Sequence, residues 1–397
     1  MISVIYPLFL RTELPYWQIA LVIGFQGLSG AMTFFYVAAY KQVLLANGEN
    51  YIVSSISLLI YVLSSLAKIL LMYNGFNIVI LQAVYCIVHC AQILMFTFVT
   101  KLKYPWLKQH KNPDMSVLSQ RSAFMIHEFS STVFSSTDAF VLSTFCNLMI
   151  TSVYSVYNMV FVALNSLINS VNNGLNFILG HSYVKNDGKY ETIHDAYDSL
   201  YIAIVFALFS VAYILICPFI KIYTAGITDI EYVDYKLPIL FVIIQLLSCG
   251  RATSARLITI AGHARLTQLR SVLEAAINLI VSIVLVNVIG IYGVLIGTIV
   301  ALLYRANDII IYANRKILNR SPRKTYLKLF SNYLIFGIIV LAERIFRTEL
   351  AAFCSSYITF VFLGFILSLF SLILYLVVAV LINHSLRNIL IKMFTNK

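Results

Sequence analysis

The sequence predicts an all-α membrane protein that crosses the bilayer about eleven times. Of its 397 residues, 60% are hydrophobic and only 11% are charged, which leaves too little polar surface for a soluble domain of this size. The mean hydropathy of +0.88 points the same way. An apolar helix of about 20 residues crosses the ~30 Å hydrocarbon core of a bilayer. Segments of that kind lie at roughly 17–43, 50–72, 78–100, 120–144, 151–177, 198–220, 237–260, 268–289, 293–313, 328–345 and 354–382.

The connections between these predicted spans are short, so we expect no extramembrane domain that could hold a separate active site. All six cysteines lie inside or at the edges of apolar segments, which is not the arrangement of a disulfide framework. The sequence has no phosphate-binding loop, nucleophile elbow or metal-hydrolase motif. We expect no cofactor and no metal. Cys86, His89 and Cys90 share an apolar helix without a fourth ligand and are interpreted as packing residues.

Basic residues are distributed unequally between alternate connections. Of the 28 lysines and arginines, nineteen fall in one set of loops together with the C-terminal tail, and five fall in the other set. The positive-inside rule places the first set, and therefore the C-terminus, in the cytoplasm. The net charge of +12 is thus interpreted as a topology signal and a contact with anionic lipid. It is not evidence for a nucleic-acid partner.

An internal repeat indicates two related halves. Residues 46–80 align without a gap with residues 261–295, and this places Gly75 opposite Gly290 in a tight outer turn. Repeats of this kind are typical of secondary transporters. Gly293 and Gly297 form a small-xxx-small pair, which predicts close helix packing in the later half.

The repeat also bears on the N-terminus. Pro7 corresponds to Pro218, so residues 1–9 resemble the outer end of the helix at 198–220. Eight apolar residues cover only ~12 Å of helix. We therefore expect that two spans and most of a third are missing from the early half; the alternative is an early half that is simply smaller. The expected domains are a truncated N-terminal lobe at 1–118, a six-helix lobe at 119–317, and two additional helices with a cytoplasmic tail at 318–397.

Polar residues mark one face of the predicted helix 151–177. At ~100° per residue, five asparagines fall on this face; they are Asn158, Asn165, Asn169, Asn172 and Asn176. Each amide offers donors and an acceptor, so a cavity wall made of them suits a neutral, hydroxyl-rich ligand. The alternative is that the amides join neighbouring helices.

The preceding helix repeats this pattern with a carboxylate. His127, Ser131, Ser135 and Asp138 share a face, and Glu128 lies beside it. Asp138 lies deep in its span. It is interpreted either as a proton or cation site, or as a carboxylate paired with an intramembrane cation.

Two arginines at bilayer depth, Arg251 and Arg256, require an anion. The guanidinium fork suits phosphate. The alternative partners are the carboxylates of Asp138, Glu128 and Glu274, and the two interpretations are compatible if a pyrophosphate displaces a carboxylate. Arg305 and Asp308 are three residues apart on a helix and are predicted to pair with each other.

Several stretches, taken together, resemble bacterial polysaccharide-unit flippases. These are O-antigen and capsule transporters of the multidrug/oligosaccharidyl-lipid/polysaccharide exporter superfamily. The stretches are STDAFVLSTF (136–145), TSVYSVYNMVF (151–161), IYTAG…EYVDYKLPILF (222–241), AGHARLTQ (261–268), EAAINLIVSIVLV (274–286) and GIYGVLIGT (290–298). The resemblance implies a MATE-like transporter with two helical lobes, alternating access around a central cavity, and a place in the bacterial cytoplasmic membrane. This chain departs from the family plan at its N-terminus.

The substrate implied by the resemblance is an oligosaccharide on undecaprenyl pyrophosphate. Arg251 and Arg256 would then hold the pyrophosphate, and the asparagine face with Ser131 and Ser135 would contact the sugars. Asp138, Glu128 or Glu274 would couple transport to an ion or compensate charge. Polysaccharide polymerase and chain-length proteins are expected partners besides membrane lipids. We expect no enzymatic activity. The alternatives are a multidrug or cation antiporter of the same superfamily and a membrane glycan polymerase or ligase.

Overall fold

The computed structural model describes residues 15–106, 121–185, 190–354 and 356–395, with the backbone alone at 121, 170–185, 389–390 and 392–395. The described chain is helical, without a β-strand, and forms two compact units, Met1–Met115 and Ser116–Lys397. The predicted partial span at 1–9 lies outside the described residues.

Unit 1 contains three long helices. They are α1 at Tyr16–Ala46, α2 at Asn50–Tyr73 and α3 at Ile78–Lys103. The turns between them need a left-handed backbone at Gly48 and Gly75, where φ is 76° and 72°. The Asn77 side chain caps α3 by accepting from the backbone N–H of Val79. Lys103, the last residue of α3, donates a hydrogen bond to Glu49 in the connection between α1 and α2. This bond lowers the pKa of the Glu49 carboxyl.

Unit 2 contains the remaining helices. In chain order they are α4 at Arg121–Phe145, α5 at Leu148–Lys185, α6 at Tyr190–Tyr223, α7 at Leu237–Ile260, α8 at Ala264–Ile289, α9 at Ile291–Ile317, α10 at Arg323–Phe353, α11 at Tyr357–Ile382 and α12 at His384–Thr395. The helix α7 is interrupted at Arg251, between Leu237–Gly250 and Ala252–Ile260. This break puts Arg251 at a junction where its backbone leaves the regular helix.

The helix α6 is the central element of unit 2. It packs against α5, α7, α10, α11 and α12, and Phe206 and Phe209 are fully buried in its core. The hydroxyls of Ser210 on α6 and Tyr375 on α11 lie 2.8 Å apart, so this buried polar pair is satisfied. On the other side of the unit, α8 packs between α4 and α9.

The glycine pair on α9 confirms the predicted close packing. A Cβ added at Gly297 would lie 2.3 Å from Ser282 Oγ, and one at Gly293 would lie 2.4 Å from the carbonyl oxygen of Leu285. Only a residue without a side chain permits this separation of α8 and α9.

Ten helices among the described residues are long and apolar enough to cross a membrane. The protein is therefore an all-α polytopic membrane protein. One of the eleven predicted spans, 120–144, is not among these ten. It forms the 25-residue helix α4. Its serines, threonines and carboxylates lower the hydropathy of every window of membrane-spanning length.

Candidate functional site

A polar strip runs along α5. Asn169 is exposed and Asn158 is half-buried, and neither amide has a hydrogen-bond partner among the described residues. Asn165 instead donates from Nδ2 to Oε1 of Gln245 on α7, at 2.7 Å. Its own Oδ1 lies 3.6 Å from the Cys249 sulfur. Asn165 therefore joins two helices, whereas Asn158 and Asn169 present free amides. The side chains of Asn172 and Asn176 lie outside the described residues.

The helix α4 presents a similar strip. Glu128, Ser131 and Ser135 are all exposed at its surface, and Glu128 makes no ion pair with a described residue. The Ser135 hydroxyl donates to the carbonyl oxygen of Thr132 at 3.1 Å, which leaves its oxygen able to accept from a ligand. Apolar residues such as Met125 and Phe129 are exposed on the adjoining side of the same helix. Each of the two helices thus has a polar strip beside an apolar one.

Asp138 lies inside the bundle, 6% exposed, among hydroxyl and amide groups. Its Oδ1 accepts from the Thr298 hydroxyl at 2.7 Å, and its Oδ2 accepts from the Tyr154 hydroxyl at 3.2 Å. The Asn278 Oδ1 is 3.1 Å from the same Thr298 oxygen. No lysine or arginine among the described residues forms an ion pair with Asp138. Four helices, α4, α5, α8 and α9, therefore converge on a buried carboxylate whose neighbours are neutral oxygens.

A charged network lies between α7, α8 and α9. The Arg251 guanidinium is 2.6 Å from Glu274, and the Arg305 guanidinium is 3.4 Å from the other oxygen of that carboxylate. Arg305 also reaches Asp308 at 2.6 Å, as their spacing in the sequence predicts, and Arg270 reaches the same residue at 2.5 Å. Three cations thus face two carboxylates, and the network carries an excess of positive charge.

His127 on α4 extends this network. Its Nε2 lies 2.9 Å from the carbonyl oxygen of Ala264, and its Nδ1 lies 2.6 Å from the Ser271 hydroxyl. Because a carbonyl only accepts, we assign the proton to Nε2, and Ser271 then donates to Nδ1. The Ser271 oxygen in turn accepts from Arg305 at 2.9 Å. This chain of bonds ties α4 to α8 and α9.

Arg256 lies half-buried in the second part of α7 and interacts with neighbouring groups. The structure thus brings Arg251 and Glu274 together, as one of the two interpretations of the sequence expects. The role of either arginine towards a ligand remains a proposal.

A second buried charge cluster has no counterpart in the sequence predictions. Asp195 and Asp198 on α6 form ion pairs with two basic residues. Arg320 lies just before α10, and Lys328 lies in its second turn. Arg320 binds both oxygens of Asp195, at 2.8 and 2.9 Å, and Lys328 binds Asp198 at 2.9 Å. The sequence likewise does not indicate Tyr154 and Thr298 beside Asp138, because single hydroxyl residues on apolar helices carry no periodic signal.

The fold and these sites define a class: an all-α, multi-pass membrane protein with polar strips and buried charges in its helices. Comparison with protein-family models, with curated proteins and with solved structures finds no match to this chain. What the protein does must therefore be inferred from the geometry itself.

Proposed function

We propose that the protein moves a hydrophilic passenger across its membrane, and that the passenger is an oligosaccharide carried on undecaprenyl pyrophosphate. The observation that carries this proposal is the pair of free amides at Asn158 and Asn169. An unsatisfied amide facing hydrocarbon costs several kcal/mol, so such groups face water, protein or a ligand in a membrane. Asparagine amides bind sugar hydroxyls as both donors and acceptors.

The exposed serines extend this surface from α5 to α4. Ser131 and Ser135 offer hydroxyl oxygens on the same side of α4 as Glu128. In the proposed mechanism the sugars contact these strips, while the prenyl chain stays in the lipid. Alternating access then exposes the strips to each side of the membrane in turn.

The charged network supports a site for the diphosphate. Arg251 is 17% exposed and Arg305 only 6% exposed, so Arg251 is the more accessible of the two cations that contact Glu274. A diphosphate that took Arg251 would not leave Glu274 unpaired, because Arg305 remains in contact with its second oxygen. In this proposal Arg256, on the same helix, holds the other phosphate.

The surroundings of Asp138 support a coupling ion. A buried carboxylate with hydroxyl and amide oxygens around it, and without a basic partner in the described chain, suits a proton or a small hard cation. We assign the coupling role to Asp138. Glu274 instead compensates the charge of the arginines.

The decisive test is water accessibility on α5. Cysteine replaces Asn158 or Asn169 in the full chain, and cell membranes are treated with a charged thiol reagent that does not enter lipid. Matched controls place cysteine at Met159 and Leu167, which are 43% and 61% exposed on the apolar side of the same helix. Peptide mass spectrometry reads each position separately, so the native cysteines can stay.

We expect the two asparagine positions to react at least tenfold faster than the two controls. Equal, slow reaction at all four positions would mean that the strip faces lipid or dry protein, and the proposal would fail. The diphosphate role is tested by R251E and R256E in a surface-glycan export assay. Normal export by both variants contradicts it.

A second candidate, a cation antiporter, is favoured by one observation. The exposed Glu128 makes no ion pair with a described residue and lies on the polar strip of α4. A carboxylate there suits a cationic passenger. In that case E128Q would abolish resistance to a toxic organic cation while surface glycan stayed normal. The proposed flippase predicts the reverse pattern for R251E.

A further inference from the structure

Unit 1 contains a cavity with both polar and apolar walls that neither the sequence predictions nor the proposed function uses. It has a volume of ~490 Å³ and lies between α1, α2 and α3. This volume is within the range of about 300–1,000 Å³ that is usual for small-molecule sites. Its polar lining consists of Gln26, Ser29, Thr33, Lys41, Ser57, Tyr85, His89 and Gln92.

The helix α1 changes its winding at this cavity. Residues Thr33–Val37 form a π turn, and three of them, Thr33, Phe34 and Val37, line the cavity wall. A π turn inside an α-helix is rare and is frequently found at a functional site. The irregular turn lies near the middle of a 31-residue span.

The polar side chains on α3 are held in fixed orientations. His89 Nδ1 lies 3.1 Å from Gln92 Oε1. An amide oxygen only accepts, so Nδ1 carries the proton and Nε2 is left as an acceptor. The Tyr85 ring packs edge-on against His89 with centroids 4.3 Å apart. Gln92 is 9% exposed, and its amide N–H groups remain as donors in the wall.

The charge of the cavity restricts its ligand. Its lining has no aspartate or glutamate, and Lys41 is its one basic side chain apart from His89. A cationic guest therefore has no counter-ion there. Amides, hydroxyls and an imidazole acceptor, together with the aromatic ring of Phe34, are complementary to a neutral ring that carries several hydroxyls.

We infer that unit 1 carries its own binding site for a neutral sugar ring, in the cavity between α1, α2 and α3. The inference rests on the proposed function, because it takes the sugar to be part of the transported glycolipid. It adds a second contact point for that passenger, in a different unit from the strips on α4 and α5. Gln92 and His89 bind hydroxyls, and Phe34 lies against the ring.

The test is binding of a defined probe to the full chain in lipid nanodiscs. The probe is the lipid-linked glycan fraction of the host membranes, labelled with a tritiated sugar. The variants are Q92L and H89L, which remove polar groups, and S57F, which fills the cavity without removing a hydrogen bond seen at Ser57. The matched control is S64A, a buried serine of α2 whose hydroxyl donates to the carbonyl of Tyr61 and does not line the cavity.

We expect S57F, Q92L and H89L each to weaken binding at least fivefold, with S64A unchanged and all variants eluting as folded protein. Wild-type binding by S57F and Q92L, together with a loss in N158L, would overturn this inference and leave the proposed function standing. Absence of binding by the wild-type protein would overturn both. The variant N158L, on the polar strip of α5, therefore separates failure of this inference from failure of the proposed function.

Discussion

Asp198 on α6 and Lys328 on α10 are 130 residues apart in the sequence, and their charged atoms lie 2.9 Å apart in the folded protein. The Asp198 side chain is 1% exposed and also accepts from the Thr253 hydroxyl at 2.6 Å. Asp195 continues the cluster through Arg320, and its backbone carbonyl accepts from Asn383 beyond α11. This cluster fastens the C-terminal helices to the central helix of unit 2.

Breaking this pair on one side should be costly. We expect K328M to destabilise the fold by about 3–5 kcal/mol, because it leaves the Asp198 carboxylate buried without a cation. Denaturant unfolding of the purified protein measures the loss.

The double variant D198N/K328M should recover much of that stability, since neither charge is then left alone. A double variant as unstable as the sum of the single variants would show that the two residues do not act as a pair.

The two arginines that share Asp308 should differ in their contributions. Arg305 is 6% exposed and contacts Glu274, Asp308 and Ser271, whereas Arg270 is 37% exposed. We expect R305M to cost about 3–5 kcal/mol, as for a broken buried pair. R270Q should cost about 0–1 kcal/mol, as for a surface pair. Thermal unfolding of both variants in one detergent tests the ranking, and equal losses would contradict it.

Gly297 offers a test of packing. In G297A the new Cβ would meet Ser282 Oγ, so α8 and α9 must separate. We expect a loss of about 1–3 kcal/mol, typical of an overpacked core.

The matched control for this test is G24A on α1. A Cβ at Gly24 has no atom within 4 Å, so this variant should keep or slightly raise the stability. A wild-type melting curve for G297A would show that the two helices can move apart at no cost.

The coupling role of Asp138 gives a prediction on ion dependence. If the site binds Na⁺, raising its concentration at constant ionic strength should raise the melting temperature, because a ligand that binds only the folded state stabilises it. D138N should remove that dependence while keeping its helical content. A rise that persists in D138N would place the ion elsewhere, and no rise in the wild type would leave the proton as the coupling ion.

The sequence predicts the helices of this protein well because a segment of about 20 apolar residues has few ways to cross a bilayer other than as a helix. It also predicts contacts that are local, such as Arg305 with Asp308, since residues three apart on a helix are neighbours. The close packing at Gly293 and Gly297 is predictable for a similar reason, because small residues four apart lie on one face of a helix and let a neighbouring helix approach.

Contacts between distant segments are harder to predict. Nothing near Asp195 or Asp198 in the sequence indicates Arg320 or Lys328, and only the folded bundle brings them together. The sequence predicts that His89 packs on an apolar helix, and its ring does pack against Tyr85, but nothing in the sequence shows that it also lines a cavity with the π turn of α1. A π turn has no composition that distinguishes it from the surrounding helix.

The pairing of Asp198 with Lys328 also has a consequence for biogenesis. At ribosomal rates of about 5–20 residues per second, the 130 residues between them take roughly 7–26 s to synthesise. During that interval Asp195 and Asp198 of α6 lack Arg320 and Lys328, so we expect the first turns of the helix to stay in the headgroup region or inside the translocon. Full burial of Asp195 and Asp198 in unit 2 therefore follows the synthesis of α10.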